Sequence, residues 1–250
     1  MASTKRILAD LRIYGRGYMR DRAGFLNLLI APVLLIVAFG VILSYLPSFS
    51  GGSSAVSVWT PGLLSLATTL LPVQSLTATS SNYKKIKLFK QLSLTPITKV
   101  EWLCSKALWF TIITFYAFVA ELATLVFAFG AHVSLTPWVI PFLVFGIVFF
   151  TSLSMLIGTR ANSPETANTV SYIVLTLMLL FSGVFFPVTL MPTFLQDFAH
   201  FMPQFYVIDG LNSVMILSDY TRAAIDTVIL AVLAIIMFAL ATKLSKWRED

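Results

Sequence analysis

Cysteine, histidine and charge are all scarce in this chain. A single cysteine, Cys104, occurs in 250 residues. No disulfide can close within the chain, and no CxxC or Cys/His zinc site can be assembled. The two histidines, His132 and His200, stand far apart, and no HExxH, GxSxG or close acid pair accompanies them. A GxxxxGK[ST] phosphate loop is also missing. Charged residues make up only 11% of the chain, against about 25% in soluble domains. No catalytic residue, metal site or cofactor bound by this chain is expected. The basic N-terminus is not followed by a short apolar core and a small-residue cleavage site, so no removable signal peptide is expected either.

Apolar surface is what the chain has in plenty. Hydrophobic residues are 58% of it, and the mean hydropathy is +0.87. One soluble core could not hide so much, which makes lipid the expected solvent. A spanning helix needs about 20 mostly apolar residues. Six stretches qualify, at about 25–46, 58–80, 103–129, 138–158, 166–186 and 223–242. Backbone amides find no water inside lipid, so helices are the default. The short alternating segments of a β-barrel are absent. The expected fold is all-α, a single polytopic domain over 1–250 with six transmembrane helices. The second span is the weakest, because "VWTPGLLSLATTLLPVQSLTATS" carries many hydroxyls and prolines at 61 and 72.

The net charge of +6 could suggest nucleic acid, but its placement argues for a membrane and against a nucleic-acid partner. Before the first span lie Lys5, Arg6, Arg12, Arg16, Arg20 and Arg22. Between spans two and three lie Lys84, Lys85, Lys87, Lys90, Lys99 and Lys106. Arg160 separates spans four and five, and Lys243, Lys246 and Arg248 follow span six. With six spans, sixteen of the seventeen cations fall on one face and only Arg222 on the other. The positive-inside rule makes that face cytoplasmic, with both termini inside. "FSGGSS" at 49–54 looks faintly like an ATPase signature, yet it falls in an expected outer loop and reads as a flexible turn.

Residues 4–22 read as an interfacial amphipathic helix. Ile7, Leu11, Tyr14 and Tyr18 form one stripe opposite Lys5, Arg12, Arg16 and Arg20, a pattern suited to the headgroup layer. Ile13 falls on the wrong face, and Gly15 and Gly17 weaken the helix. Thr98 and Glu101 have capping-box spacing at the start of span three. Ser163-Pro164-Glu165 offers a cap, a first-turn proline and a favourable acid before span five. The segment 187–222 is apolar but broken by Pro187, Pro192 and Pro203. Neither half is long enough to span, so a re-entrant or interfacial hairpin is expected there.

Few residues in the spans carry chemistry. Glu121 lies deep in span three, where it would face cargo or hold helices together. Thr68, Thr69 and Gln74 in span two could line a pathway or pack helix against helix. Asp226 lies near enough to the outer end of span six to reach water. The lysines in "NYKKIKLFKQLSLTPITKVEW" point nearly all round, which suits an exposed segment. They could anchor topology, bind anionic lipid heads or dock a cytoplasmic protein.

Two stretches resemble the type-2 ABC exporter permeases. In the first, "LSLTPITKVEWLCSKAL", Leu92, Thr95, Pro96, Thr98 and Lys106 match the loop between spans two and three. In the second, 181–212, the matches are Ser182, Gly183, Phe186, Pro187, Pro192, Pro203, Tyr206, Asp209 and Leu211. One departure stands out: "YKKIKLFKQ" replaces the acidic segment many relatives carry before the TP element. The resemblance implies a half-transporter without its motor. A second permease chain would complete the pathway, and separate cytoplasmic ABC ATPase subunits would hold ATP and Mg. On that resemblance Lys84, Lys85, Lys87, Lys90, Leu92, Thr95, Pro96 and Thr98 form the ATPase-coupling loop. Ser182, Gly183, Phe186 and Pro187 belong to the outer gate. Amphipathic, lipid-like or glycan cargo leaving across the plasma membrane is the implied activity. The competing class is a secondary transporter using Glu121 as proton carrier. One deep acid and no repeat symmetry speak against that class.

Overall fold

The computed structural model describes residues 2–20, 22–46 and 54–245, with side chains left aside at Ala2 and over 22–29. Residues 49–53 of the "FSGGSS" stretch, and Lys246 and Arg248, lie outside the described residues. Ser54 caps a helix, its hydroxyl accepting from the Ser57 amide at 3.2 Å.

All regular structure among the described residues is helical, in the order α1 (Ala2–Arg20), α2 (Arg22–Ser44), α3 (Ala55–Leu64), α4 (Leu66–Lys85), α5 (Leu88–Leu92), α6 (Lys99–Ala123), α7 (Val139–Arg160), α8 (Pro164–Phe181), α9 (Thr193–Ala199), α10 (Pro203–Asn212) and α11 (Tyr220–Leu244). One π-helical turn extends α6 over Thr124–Ala128 and another follows α10 over Ser213–Leu217. Among the described residues five stretches are long and apolar enough to cross a membrane: Ala55–Lys85, Lys99–Ala128, Val139–Arg160, Pro164–Phe181 and Tyr220–Leu244. Helix α2 adds 23 residues, apolar over Ile30–Ser44. The chain is an all-helical, polytopic membrane protein.

The span that looks weakest in sequence is the hub. In its most apolar window 89% of Ala55–Lys85 is buried, against 22% for α8 or α11. Its small hydroxyl residues let neighbouring backbones approach closely, the usual device of helix packing in lipid. A side chain at Gly158 of α7 would bring its Cβ within 2.8 Å of the Thr77 carbonyl oxygen. The same span bends at Ser65, between α3 and α4. Ser65 Oγ donates to the Gly62 carbonyl at 2.6 Å, and Thr68 Oγ1 to the Ser65 carbonyl at 2.6 Å. Such back-bonding bends helices.

Helix α1 turns its expected stripe toward the protein, with Tyr14 buried and Leu11 and Tyr18 packed against the core. Tyr14 meets Trp109 of α6 edge-on, with ring centroids 6.2 Å apart. A Cβ at Gly15 would stand 2.5 Å from that same indole. The glycine that weakens the helix locally is therefore what admits the ring. Ile13 is exposed, as its position on the opposite face requires.

The expected hairpin is a pair of short helices. After a 3-10 turn at Val188–Leu190, α9 leaves Phe194 and Phe198 exposed, while α10 packs on α3, α7 and α11. Val207 lies against Gly146 and Gly210 against Phe142. Helix α10 thus runs antiparallel to α7, so the segment enters the bundle and returns. Span five ends at Phe181, five residues earlier than expected, because Gly183 takes a positive φ of 97°.

Candidate functional site

Three regions hold the residues singled out by the sequence. The first is the basic end. Helix α4 stops at Lys85, and Lys87 adopts a left-handed conformation that turns the chain into α5. This one-turn helix is pinned by Phe89, only 2% exposed. Its ring stands edge-on to Trp102 at 5.5 Å and to Tyr83 at 5.9 Å. Around that anchor Lys85, Lys87, Lys90, Thr95 and Pro96 are exposed, and Leu94 is 85% exposed. Lys84 differs from its neighbours: its ammonium folds back to donate to the Ala161 carbonyl at 2.8 Å, at the end of α7. Leu92 is half-buried.

The segment is braced from below. Arg6 of α1 donates to the Pro96 carbonyl and, at 3.3 Å, to the Glu101 carboxylate. Thr98 and Glu101 form the full capping box. Lys99 donates to the Ser245 carbonyl at 2.6 Å. Lys106, buried in α6, donates to Asp10 of α1 at 2.8 Å. Burial pushes the Tyr14 phenol well above its usual range, so it remains a neutral hydroxyl.

The second region is the middle of the bundle. Thr68 and Thr69 are fully buried, and Gln74 is exposed on another face of α4. Glu121 is buried, and neither carboxylate oxygen has a hydrogen-bond partner among the described residues. The four expected pathway residues therefore do not form one constellation within this chain. A 100° turn per residue sends Gln74 away from Thr68 and Thr69. The residue that completes a polar cluster here is Gln204, which the sequence pattern did not flag. Its amide donates to the Ser65 carbonyl at 3.0 Å and to Ser65 Oγ at 2.7 Å, and its carbonyl accepts from Thr69. A glutamine one step inside a helix beginning with Pro203 was the available signal.

At the opposite end from the lysines, Trp59 Nε1 donates to the Phe185 carbonyl at 2.7 Å. A Cβ at Gly62 would come within 2.8 Å of the Val184 carbonyl. A cavity of about 340 Å³ opens there, lined by Trp59, Gly62, Ser182, Gly183, Pro187 and Arg222, among others. Ser182 Oγ is buried without a partner among the described residues. Phe186 is exposed and lies outside the lining, so three of the four expected gate residues share the cavity. Arg222 grips Asp209 with two hydrogen bonds of 2.7 and 2.9 Å. Asp226, expected to reach water, is buried instead, near that pair. At this end the His132 backbone amide donates to Ser57 Oγ of α3, and His200 Nδ1 lies 2.7 Å from the Gln196 carbonyl one turn back.

No curated protein matches the chain. The family model described as ABC-2 type transporter matches residues 11–216, from the middle of α1 to the π turn after α10. That match covers both stretches of resemblance and the helices between them, and the chain belongs to the ABC-2 type transporter family, the membrane part of ABC transporters.

Proposed function

We propose that this chain is the permease of an ATP-driven exporter, moving an amphipathic, lipid-like or glycan cargo outward across the plasma membrane. Separate ABC ATPase subunits hold ATP and Mg, and a second permease chain completes the pathway. The basic end faces the cytoplasm, with both termini inside. The observation that carries this reading is the mounting of α5. An exposed cationic turn is anchored by Phe89 on α6 and braced by Arg6, so a push on it is delivered to the spans rather than absorbed locally. Lys85, Lys87 and Lys90 meet the motor, while Lys84 is kept for the Ala161 carbonyl.

The test is co-purification in mild detergent. The wild-type chain is expected to bring down an ATPase. A chain with Lys85, Lys87 and Lys90 changed to Glu is expected to lose it while still inserting. Retention of the ATPase by that variant would remove the docking assignment, and absence of any ATPase from the wild type would remove the function. The buried Glu121 favours a second reading, a secondary transporter using that carboxyl as proton carrier. Proton-coupled uptake by the reconstituted chain alone, abolished in Glu121→Gln, would replace the first reading.

A further inference from the structure

A cavity of about 490 Å³ opens at the basic end, between α1, α4 and α6. That volume is in the range of small-ligand pockets. Its lining includes Asp10, Tyr14, Thr79, Asn82 and Lys106. This is a polar set within an apolar protein, and part of it is unsatisfied. Lys106 is 1% exposed, yet among the described residues only one of its three N–H donors has an oxygen, that of Asp10 at 2.8 Å. Otherwise its ammonium lies over the Tyr14 ring at 3.9 Å and near the Trp102 ring at 5.0 Å. The Tyr14 hydroxyl is buried as well. Thr79 is the polar side chain beside it, but no hydrogen bond of ordinary geometry joins them. A buried donor without an acceptor is destabilising, so this pair of donors fits an incoming acceptor.

The cavity thus combines free donors on Lys106 and Tyr14 with one carboxylate on Asp10. That is the complement of anionic oxygens joined to a nearby amine. The mouth suits a lipid rather than a free solute. Ile13 is exposed on α1 beside it, and the space around Gly17 is open. Helix α1 carries further exposed cations, Arg12, Arg16 and Arg20, at the same level, where phosphate groups gather. We infer that this cavity holds the headgroup of a zwitterionic phospholipid bearing a primary amine, its phosphate on Lys106 and Tyr14 and its ammonium on Asp10. The inference uses the membrane assignment only and stands whether or not an ATPase docks on α5.

The test is lipid binding to the delipidated, purified full chain, read by native mass spectrometry. The probes are phosphatidylethanolamine, phosphatidylglycerol, phosphatidylcholine and soluble phosphoethanolamine. Phosphatidylethanolamine is expected to bind preferentially, at one molecule per chain. Tyr14→Phe removes a hydroxyl that makes no hydrogen bond of ordinary geometry among the described residues, so the melting temperature should hold while affinity falls about tenfold. Asp10→Asn should shift preference from phosphatidylethanolamine toward phosphatidylglycerol. Should Asp10→Asn fail to fold, Tyr14→Phe decides alone. Equal binding of the three lipids, or unchanged affinity in Tyr14→Phe, overturns the site. Equally tight binding of soluble phosphoethanolamine overturns its assignment to lipid.

Discussion

Replacing Gln204 by Leu would test whether the re-entrant segment is held by polar bonds at the bend of the hub helix. Leucine keeps most of the volume and removes three hydrogen bonds: two donated to Ser65 and one accepted from Thr69. The groups left behind are not stranded equally. Ser65 Oγ still donates to the Gly62 carbonyl, and the Ser65 carbonyl still accepts from Thr68. Only the Thr69 hydroxyl loses its main partner, with the Ser65 carbonyl at 3.5 Å as its remaining acceptor. Interhelical hydrogen bonds in membrane proteins average about 0.6 kcal/mol and reach about 1.7 kcal/mol. Three of them, partly compensated, give an expected loss of about 1–2 kcal/mol. The assay is reversible unfolding in mixed detergent micelles of wild type, Gln204→Leu, Thr69→Val and the double variant. Removing both partners of one bond should be non-additive, with a coupling of about 0.6 kcal/mol. A Gln204→Leu chain as stable as wild type, with losses that simply add, would refute the clamp. It would leave α10 held by packing alone.

Other outcomes follow from local geometry. Gly158→Ala is expected to cost about 1–3 kcal/mol in thermal unfolding, since its Cβ would press on the Thr77 carbonyl oxygen, which cannot move aside. Gly17→Ala, on the open side of α1, is expected to stabilise by up to about 1 kcal/mol. The folded-state rise in the Tyr14 phenol makes stability complete below its ordinary value of 10.0. Above that pH the unfolded chain loses a proton that the folded chain keeps, so stability falls. Tyr14→Phe should therefore shallow the loss measured between neutral and strongly alkaline pH, and an unchanged slope would contradict the burial. Single cysteines at Thr4 and Lys87 in a Cys104→Ser chain should label from one side of the membrane, and one at Leu135 from the other. Thr4 and Lys87 labelling from opposite sides would overturn the topology.

What the sequence determined by itself was whatever depends on short range. Apolar length dictated where helices cross, because a backbone in lipid must bond within its own segment. The Ile7, Leu11, Tyr14 and Tyr18 stripe, the Thr98–Glu101 box and the Ser163 cap were legible because their partners lie within one or two turns. The tertiary structure decided the rest. In lipid an apolar residue looks alike whether it faces acyl chains or another helix, so hydropathy could not identify the hub. The hub is the hydroxyl-rich span, where small residues admit close neighbours. Nor could sequence pair Gln204 with Thr69, Gly15 with Trp109 or Lys106 with Asp10, contacts spanning 94 to 135 positions between groups that local periodicity does not relate.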